Sequence, residues 1–272
     1  MRSAEPASHA INAGEPAYSE EANMPEPILL AKTDPPPEPG GFVTTPTAQK
    51  IVDALELITV LPGPQMAMIA GVPGIGKTEA AKYFKVTNRN VLIFTAAGSG
   101  NRKTRDREPA ELLASHCHVA YEYQNETSIR RSLREGRQLS GATIIFDEAN
   151  NLSETGLEWL RITCEEAGAN LALIGDMSLA QKLKRLSKLW TRAAPKLILG
   201  AATAQDLQQI ANSYGVRCAS ALAALSGENQ EGTATRQIRS VVKVLQLAAI
   251  LAQQGDITRT HINTALAQLR VK

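Results

Sequence analysis

Residues 71–78 read GVPGIGKT, a complete G-x-x-x-x-G-K-[ST] signature. Few octapeptides constrain a fold more, because the signature works only where a strand hands over to a helix. The apolar run at 66–70 and the helical pattern at 78–84 supply that setting. The glycines let the backbone turn sharply and aim N–H groups at phosphate oxygens. The positive end of the following helix adds to that field. Gly71, Val72, Pro73, Gly74, Ile75, Gly76, Lys77, Thr78 and Glu79 are therefore the expected nucleotide-binding set. Lys77 is expected to reach the β- and γ-phosphates, and the Thr78 hydroxyl to bind magnesium.

A second element lies about seventy residues downstream, Ile144-Ile145-Phe146-Asp147-Glu148. An apolar strand ending in an acid is the magnesium-side partner that a phosphate loop requires. Asp147 is expected to hold the metal through water, and Glu148 to be the base that orients the attacking water. Alone, an Asp-Glu pair after a strand is just a solvated strand end. Behind a complete phosphate loop, the paired carboxylates favour hydrolysis over small-molecule phosphoryl transfer.

The rest of the pattern fits one architecture. Apolar strand runs at 66–70, 91–95, 143–146 and 171–174 alternate with helical segments. These helices begin near residue 47, at 78, at Glu108-Pro109, at 128 and at 154. Residues 98–107 read as a polar, glycine-containing loop. Such alternation predicts an α/β fold with a parallel sheet covered on both faces. After about Ala201 the strand signals stop, and 204–214, 218–225, 235–254 and 258–271 read as the helices of a small lid domain. The expected organisation is a disordered acidic, proline-rich tail (1–46), an α/β core (47–200) and the helical lid (201–272).

Composition narrows the function classes. Residues 1–49 hold 9 of the 14 prolines and carry a charge of −5, so the remainder of a chain whose total is +2 is basic, at +7. No apolar run reaches the roughly 18 residues of a membrane helix, and the first residues lack a signal peptide's apolar core. Three well-separated cysteines exclude a disulfide scaffold and suit a reducing cytoplasm. Aromatics are 4% of residues, too few for base stacking to be the main binding mode.

With these motifs in place, the chain resembles the AAA+ ATPases over roughly residues 47–270, and within them the target-selecting group of transposons and transposing phages (MuB, TniB and TnsC). The likeness is carried by GVPGIGKTEAAKYF (71–84), TIIFDEANNLSETGLEWLRITCEEAGANLALIGD (143–176) and EGTATRQIRSVVKVL (231–245). The resemblance implies a P-loop AAA+ core, ATP and Mg²⁺ as ligands, and ATP hydrolysis. It places Asp176 at the first sensor, a departure from the usual Thr, Ser or Asn, since an ionised carboxylate cannot donate to a phosphate. It places Arg236 at the second sensor, with Arg239 the near alternative. Lys182, Lys184, Arg185, Lys188, Arg192 and Lys196 form a run with no acid from 177 to 205, where the group carries its trans-acting arginine finger. Arg192 is the expected finger and Arg185 the second choice.

The same resemblance points to double-stranded DNA. Arg102, Lys103 and Arg105 sit in the 98–107 segment, and Arg130 and Arg131 in the next basic helix, where Arg130 and Arg134 share a face. These are expected to touch DNA phosphates inside an ATP-dependent ring or filament, with little sequence preference. The implied partners are further copies of the chain and a transposase, at the nucleoid of a bacterial or phage-infected cell. The alternatives are a secretion-associated or other AAA+ ATPase, and a nucleotide-gated scaffold that binds no DNA.

Overall fold

The computed structural model describes residues 41–98, 102–122, 124–226, 237–253 and 255–269, with side chains undescribed at 102–104. At its centre is a parallel sheet of β1 (Met66–Gly71), β2 (Val91–Thr95), β3 (Thr143–Asp147), β4 (Asn170–Gly175) and β5 (Ala193–Leu199), in the order β2-β3-β4-β1-β5. Both β1 and β3 are buried along their whole length. That is why they read as unbroken apolar runs instead of alternating ones.

Side chains alternate across the sheet and feed two separate cores. On one face Ala67, Ile69, Ile145, Ala172 and Ile174 meet α1 (Pro46–Val60) and α2 (Lys77–Thr87). On the other, Met68, Ile144, Phe146, Leu171 and Leu173 meet five helices. These are α3 (Arg102–His116), α4 (Glu126–Gly136), α5 (Glu154–Ala167), α6 (Met177–Arg185) and α7 (Ser187–Arg192). Local signals set several helix starts: Thr45, Asn125 and Ser153 accept N-terminal N–H groups of α1, α4 and α5. Gly168, at φ +72°, closes α5 in the left-handed conformation that glycine adopts without strain.

A third core joins α8 (Ala204–Ser213), α9 (Ala219–Ser226), α10 (Ile238–Ala252) and α11 (Arg259–Leu269) through Leu207, Ile210, Val241, Leu245 and Ile262. Residues at the end of the acidic arm pack as well. Val43 lies against this third core, and Phe42 stacks on Tyr83 of α2 with ring centroids 4.3 Å apart. No helix among the described residues is long and apolar enough to cross a membrane.

The structure departs from the sequence reading in two places. The first is β5, which the pattern does not announce. Its residues alternate in exposure, and Pro195 and Lys196 interrupt any apolar run. Proline is tolerated because β5 is an edge strand paired only with β1, with a register shift between Met66 and Met68. The second is the segment read as a loop at 98–107, which from Arg102 onward is helix, so Pro109 lies inside α3 and not at its start. Proline cannot donate to the Arg105 carbonyl. That carbonyl and the next one lie over Gly156 of α5, where an added Cβ would come within 3.2 and 3.3 Å of them. Arg107, paired with Glu111 at 2.8 Å and donating to the Tyr121 carbonyl, ties down this half of α3.

Candidate functional site

The phosphate-loop residues leave the sheet at the end of β1, between β4 and β5. The Val72 N–H donates to the Leu199 carbonyl at 3.3 Å, tying the loop to β5. Gly71 has no room for a side chain: an added Cβ would stand 2.8 Å from Ile75 Cδ1 and 2.9 Å from Leu199 Cβ. Gly76 precedes α2 at φ +90° and offers no side-chain cap. The first N–H groups of α2 therefore face the loop with no side-chain acceptor, as an anion site requires.

Lys77 is buried, and its ammonium donates to the carbonyls of Gly71 at 2.8 Å and Val72 at 3.0 Å. Burial pushes its pKa below the ordinary lysine value, against the pull of Glu148, Asp147 and Asp176, and nearby Arg239 lowers it further. The Thr78 hydroxyl donates to Asp147 Oδ2 at 2.6 Å, and Asp147 Oδ1 accepts the Glu148 N–H at 2.9 Å. A hydroxyl and a buried carboxylate held together on two elements are the hard oxygen donors that a small divalent cation takes.

Glu148 lies just past β3 in the left-handed region, at φ +53° and ψ 33°. Such a backbone costs a non-glycine residue on the order of 1 kcal/mol and persists only where the surroundings hold it. Here they do. The Asn151 amide donates to the Ala96 carbonyl beyond β2 at 3.1 Å. Asn150 Oδ1 accepts the Asp176 N–H at 3.1 Å, and the Lys182 ammonium donates to the carbonyls of Asn150 and Leu152, both at 2.6 Å. The turn that carries Glu148 is thus fastened to both neighbouring strand ends.

Lys77, Thr78 and Glu148 line one cleft of about 540 Å³, closed on the far side by Arg239, Val242 and Lys243 of α10. The Arg239 N–H donates to the Gly74 carbonyl at 3.0 Å, so this residue touches the loop. Arg236, the expected second sensor, lies outside the described residues. Asp176 stands at the tip of β4 as expected, but its carboxylate accepts the Ser178 N–H at 2.8 Å and the Ser178 hydroxyl, capping α6. The Ser178 hydroxyl holds its pKa below the usual aspartate value.

A smaller cleft of about 260 Å³ continues from the first and shares Gly76, Glu79, Ile238 and Val242 with it. It is also lined by Phe42, Val43, Thr45 and Ala48, at and before the start of α1, and by Ile210 and Tyr214, at the end of α8. Sequence reading missed this cleft. The apolar pair Phe42-Val43, set in a tail otherwise poor in such residues, was the available signal.

Arg192 lies at the opposite end of the strands from Lys77, beside Ala193, which pairs with the first residue of β1. Its side chain is 60% exposed and pairs with Glu165 at 2.7 Å, and Glu165 also holds Arg161 at 2.6 Å. Elsewhere in the basic run, Lys184 and Lys196 stand over the Trp190 ring. Among the DNA candidates, Arg105 is exposed. The side chains of Arg102 and Lys103 lie outside the described residues, although their backbone is helical. Arg130 and Arg134 both face Glu166 of α5, at 3.5 and 3.9 Å, and Arg131 pairs with Glu135 at 2.8 Å. The sequence pattern did not reveal the acid from α5.

Residues 62–183 match the AAA domain family. The "ATP-dependent target DNA activator B" of Escherichia phage D108 is 26% identical over 247 residues, covering 86% of this chain and 75% of the relative. Its namesake from Escherichia phage Mu shows the same identity and coverage. Among solved structures, the ORC2 protein of Aeropyrum pernix superposes with a TM-score of 0.63 at 17% identity, over 86% of this chain and 69% of that one.

Proposed function

We propose that this chain is a MuB-like AAA+ ATPase that binds ATP with Mg²⁺, assembles on double-stranded DNA and presents that DNA to a transposase. The observation that carries this reading is the likeness to the two phage target DNA activators over 86% of the chain, which spans the complete phosphate-loop and Asp-Glu site. The two joined clefts suit an elongated ligand. The apolar smaller cleft takes the adenine and the larger one the triphosphate.

Thr78 and Asp147 would hold Mg²⁺, which would supply positive charge to the triphosphate. The chain's own residues do the rest. Lys77 turns its ammonium from the Gly71 and Val72 carbonyls to the phosphates, and the α2 N–H groups hold them in line. Glu148 accepts a proton from the water whose oxygen attacks the γ-phosphorus, as the bond to the bridging oxygen breaks and ADP leaves. Asp176, turned to Ser178, orients α6 and the strand tip without contacting phosphate. Arg239 serves as the lid arginine, whether alone or together with Arg236.

Arg192 is the trans-acting finger. Six residues of β1 at about 3.3 Å each separate its end of the strands from the loop, so it serves a neighbour's site. The Glu165 pair is exposed and yields readily. Arg192→Ala and Glu148→Gln should each be nearly inactive. A one-to-one mixture should regain about a quarter of the wild-type rate, because random neighbours pair an intact finger with an intact base. Rates for the mixture no higher than for either variant would remove the finger assignment.

The 47–200 core and 201–272 lid are proposed to act as two bodies around the nucleotide, with residues 1–46 as an acidic arm. For DNA, Arg105 with Arg102 and Lys103 forms the primary contact. Arg130 and Arg131 join by leaving surface ion pairs, which solvent screening makes weak and easily broken. The test is a salt titration of DNA affinity with a slowly hydrolysed ATP analogue. Replacing Arg102, Lys103 and Arg105 by Ala should weaken binding to all sequences alike and flatten the logarithmic salt slope by about 0.9 per lost phosphate contact. Identical slopes would move the DNA path to α4. No ATP-dependent DNA binding by the wild type would overturn the function itself.

A further inference from the structure

We propose that Asp206 is a positioning residue for the nucleotide base: it joins α8 to the first turn of α1 and thereby sets the gap of the smaller cleft. This rests on the reading of that cleft as the adenine site. Asp206 is fully buried, with no exposed surface. Its Oδ1 accepts the Thr47 N–H at 2.8 Å. Its Oδ2 accepts the Thr47 hydroxyl, the Thr203 N–H and the Thr203 hydroxyl, all at 2.7 Å. Burial by itself would raise the Asp206 pKa, but these donors outweigh it and hold the group below the usual aspartate value.

Helix capping does not account for this arrangement. The capping box of α8 is complete with Thr203 and Asp206 alone. The two bonds to Thr47 are additional, and they reach an element 159 residues away. What they join is two segments that line the cleft. Thr47 lies between Thr45 and Ala48, which line it at the start of α1. Asp206, Ile210 and Tyr214 are spaced four apart and so fall on one face of α8, and the last two line it as well. The carboxylate is a tie-bar at the end of a narrow apolar slot. Lys77, Thr78 and Asp147, on the triphosphate side of the site, hang from α2 and β3 and do not pass through it.

Loosening the tie-bar should therefore spoil recognition of the base and spare the phosphates. In the full chain with Mg²⁺, affinities for ATP, CTP and inorganic tripolyphosphate are measured for wild type, Asp206→Asn, Thr47→Val and Tyr214→Ala. An amide cannot accept from all four donors, so Asp206→Asn should narrow the ATP-over-CTP preference about tenfold. Thr47→Val, which leaves the capping box intact, should narrow it by a smaller factor. Affinity for tripolyphosphate should be unchanged in both, and ATP hydrolysis should show a raised KM at nearly constant kcat. A purely structural carboxylate would move thermal stability without moving the base preference. If Asp206→Asn does not fold, Thr47→Val decides. An unchanged preference in the folded variants, while Tyr214→Ala abolishes it, overturns the tie-bar alone. An unchanged preference in Tyr214→Ala overturns the adenine reading of the cleft and the tie-bar with it.

Discussion

Glu148→Gln is expected to bind ATP and DNA like the wild type while hydrolysing ATP roughly 100- to 10,000-fold more slowly, the contribution of a positioned general base. The amide keeps the size of the side chain and its place beside Lys77 and Thr78, so the binding cleft is preserved. It also keeps the left-handed turn, which is held by Asn150, Asn151 and Lys182 and not by the Glu148 carboxylate. What it loses is the capacity to take a proton from water. Because hydrolysis is what dissolves the proposed assembly, the variant should persist on DNA at ATP concentrations from which the wild type dissociates. Single-turnover hydrolysis and DNA dissociation, followed on the same sample, check both parts. A wild-type rate would show that a different group positions the water.

Lys77→Ala is expected to lower ATP affinity at least about 100-fold, since a buried charge-assisted contact to phosphate is lost from a site built around it. Stability should change little. Among the described residues the Lys77 ammonium is held by the two carbonyls of Gly71 and Val72, and burial already disfavours its charge. Losing a buried cation therefore removes a desolvation cost along with two hydrogen bonds. Thermal unfolding without nucleotide should match the wild type closely, and ATP should no longer raise the transition of the variant. Unfolding well below the wild type would make Lys77 a structural residue. Retained stabilisation by ATP would move the phosphate site elsewhere.

The alternatives of a secretion ATPase or a DNA-free scaffold draw no support from the relatives. The two phage relatives are both named as target DNA activators.

The chemistry of the site was written locally. GVPGIGKT, the apolar strand ending in Asp147-Glu148, and the buried runs of β1, β3 and β4 need only neighbouring residues to be recognised, because strand burial and loop glycines leave marks within a few positions. The same holds for α5, whose serine and glycine ends stand beside the helix they cap. Other features depended on partners far along the chain. The β5 strand is a strand because β1 offers it hydrogen bonds, not because Ala193–Leu199 is apolar. The polar first half of α3 rests on Gly156 of α5, and its Arg107 reaches the Tyr121 carbonyl. Glu166 meets Arg130 and Arg134 only once α5 packs on α4. Asp206 finds Thr47, and Phe42 and Tyr214 come to line the same cleft, only once α8 packs near α1. Sequence alone determined the residues of the candidate phosphate site, because they lie within one strand-loop-helix unit and one strand end. The tertiary structure decided what lines the smaller cleft and which charges pair, because each depends on two segments that share no local pattern and meet only through packing.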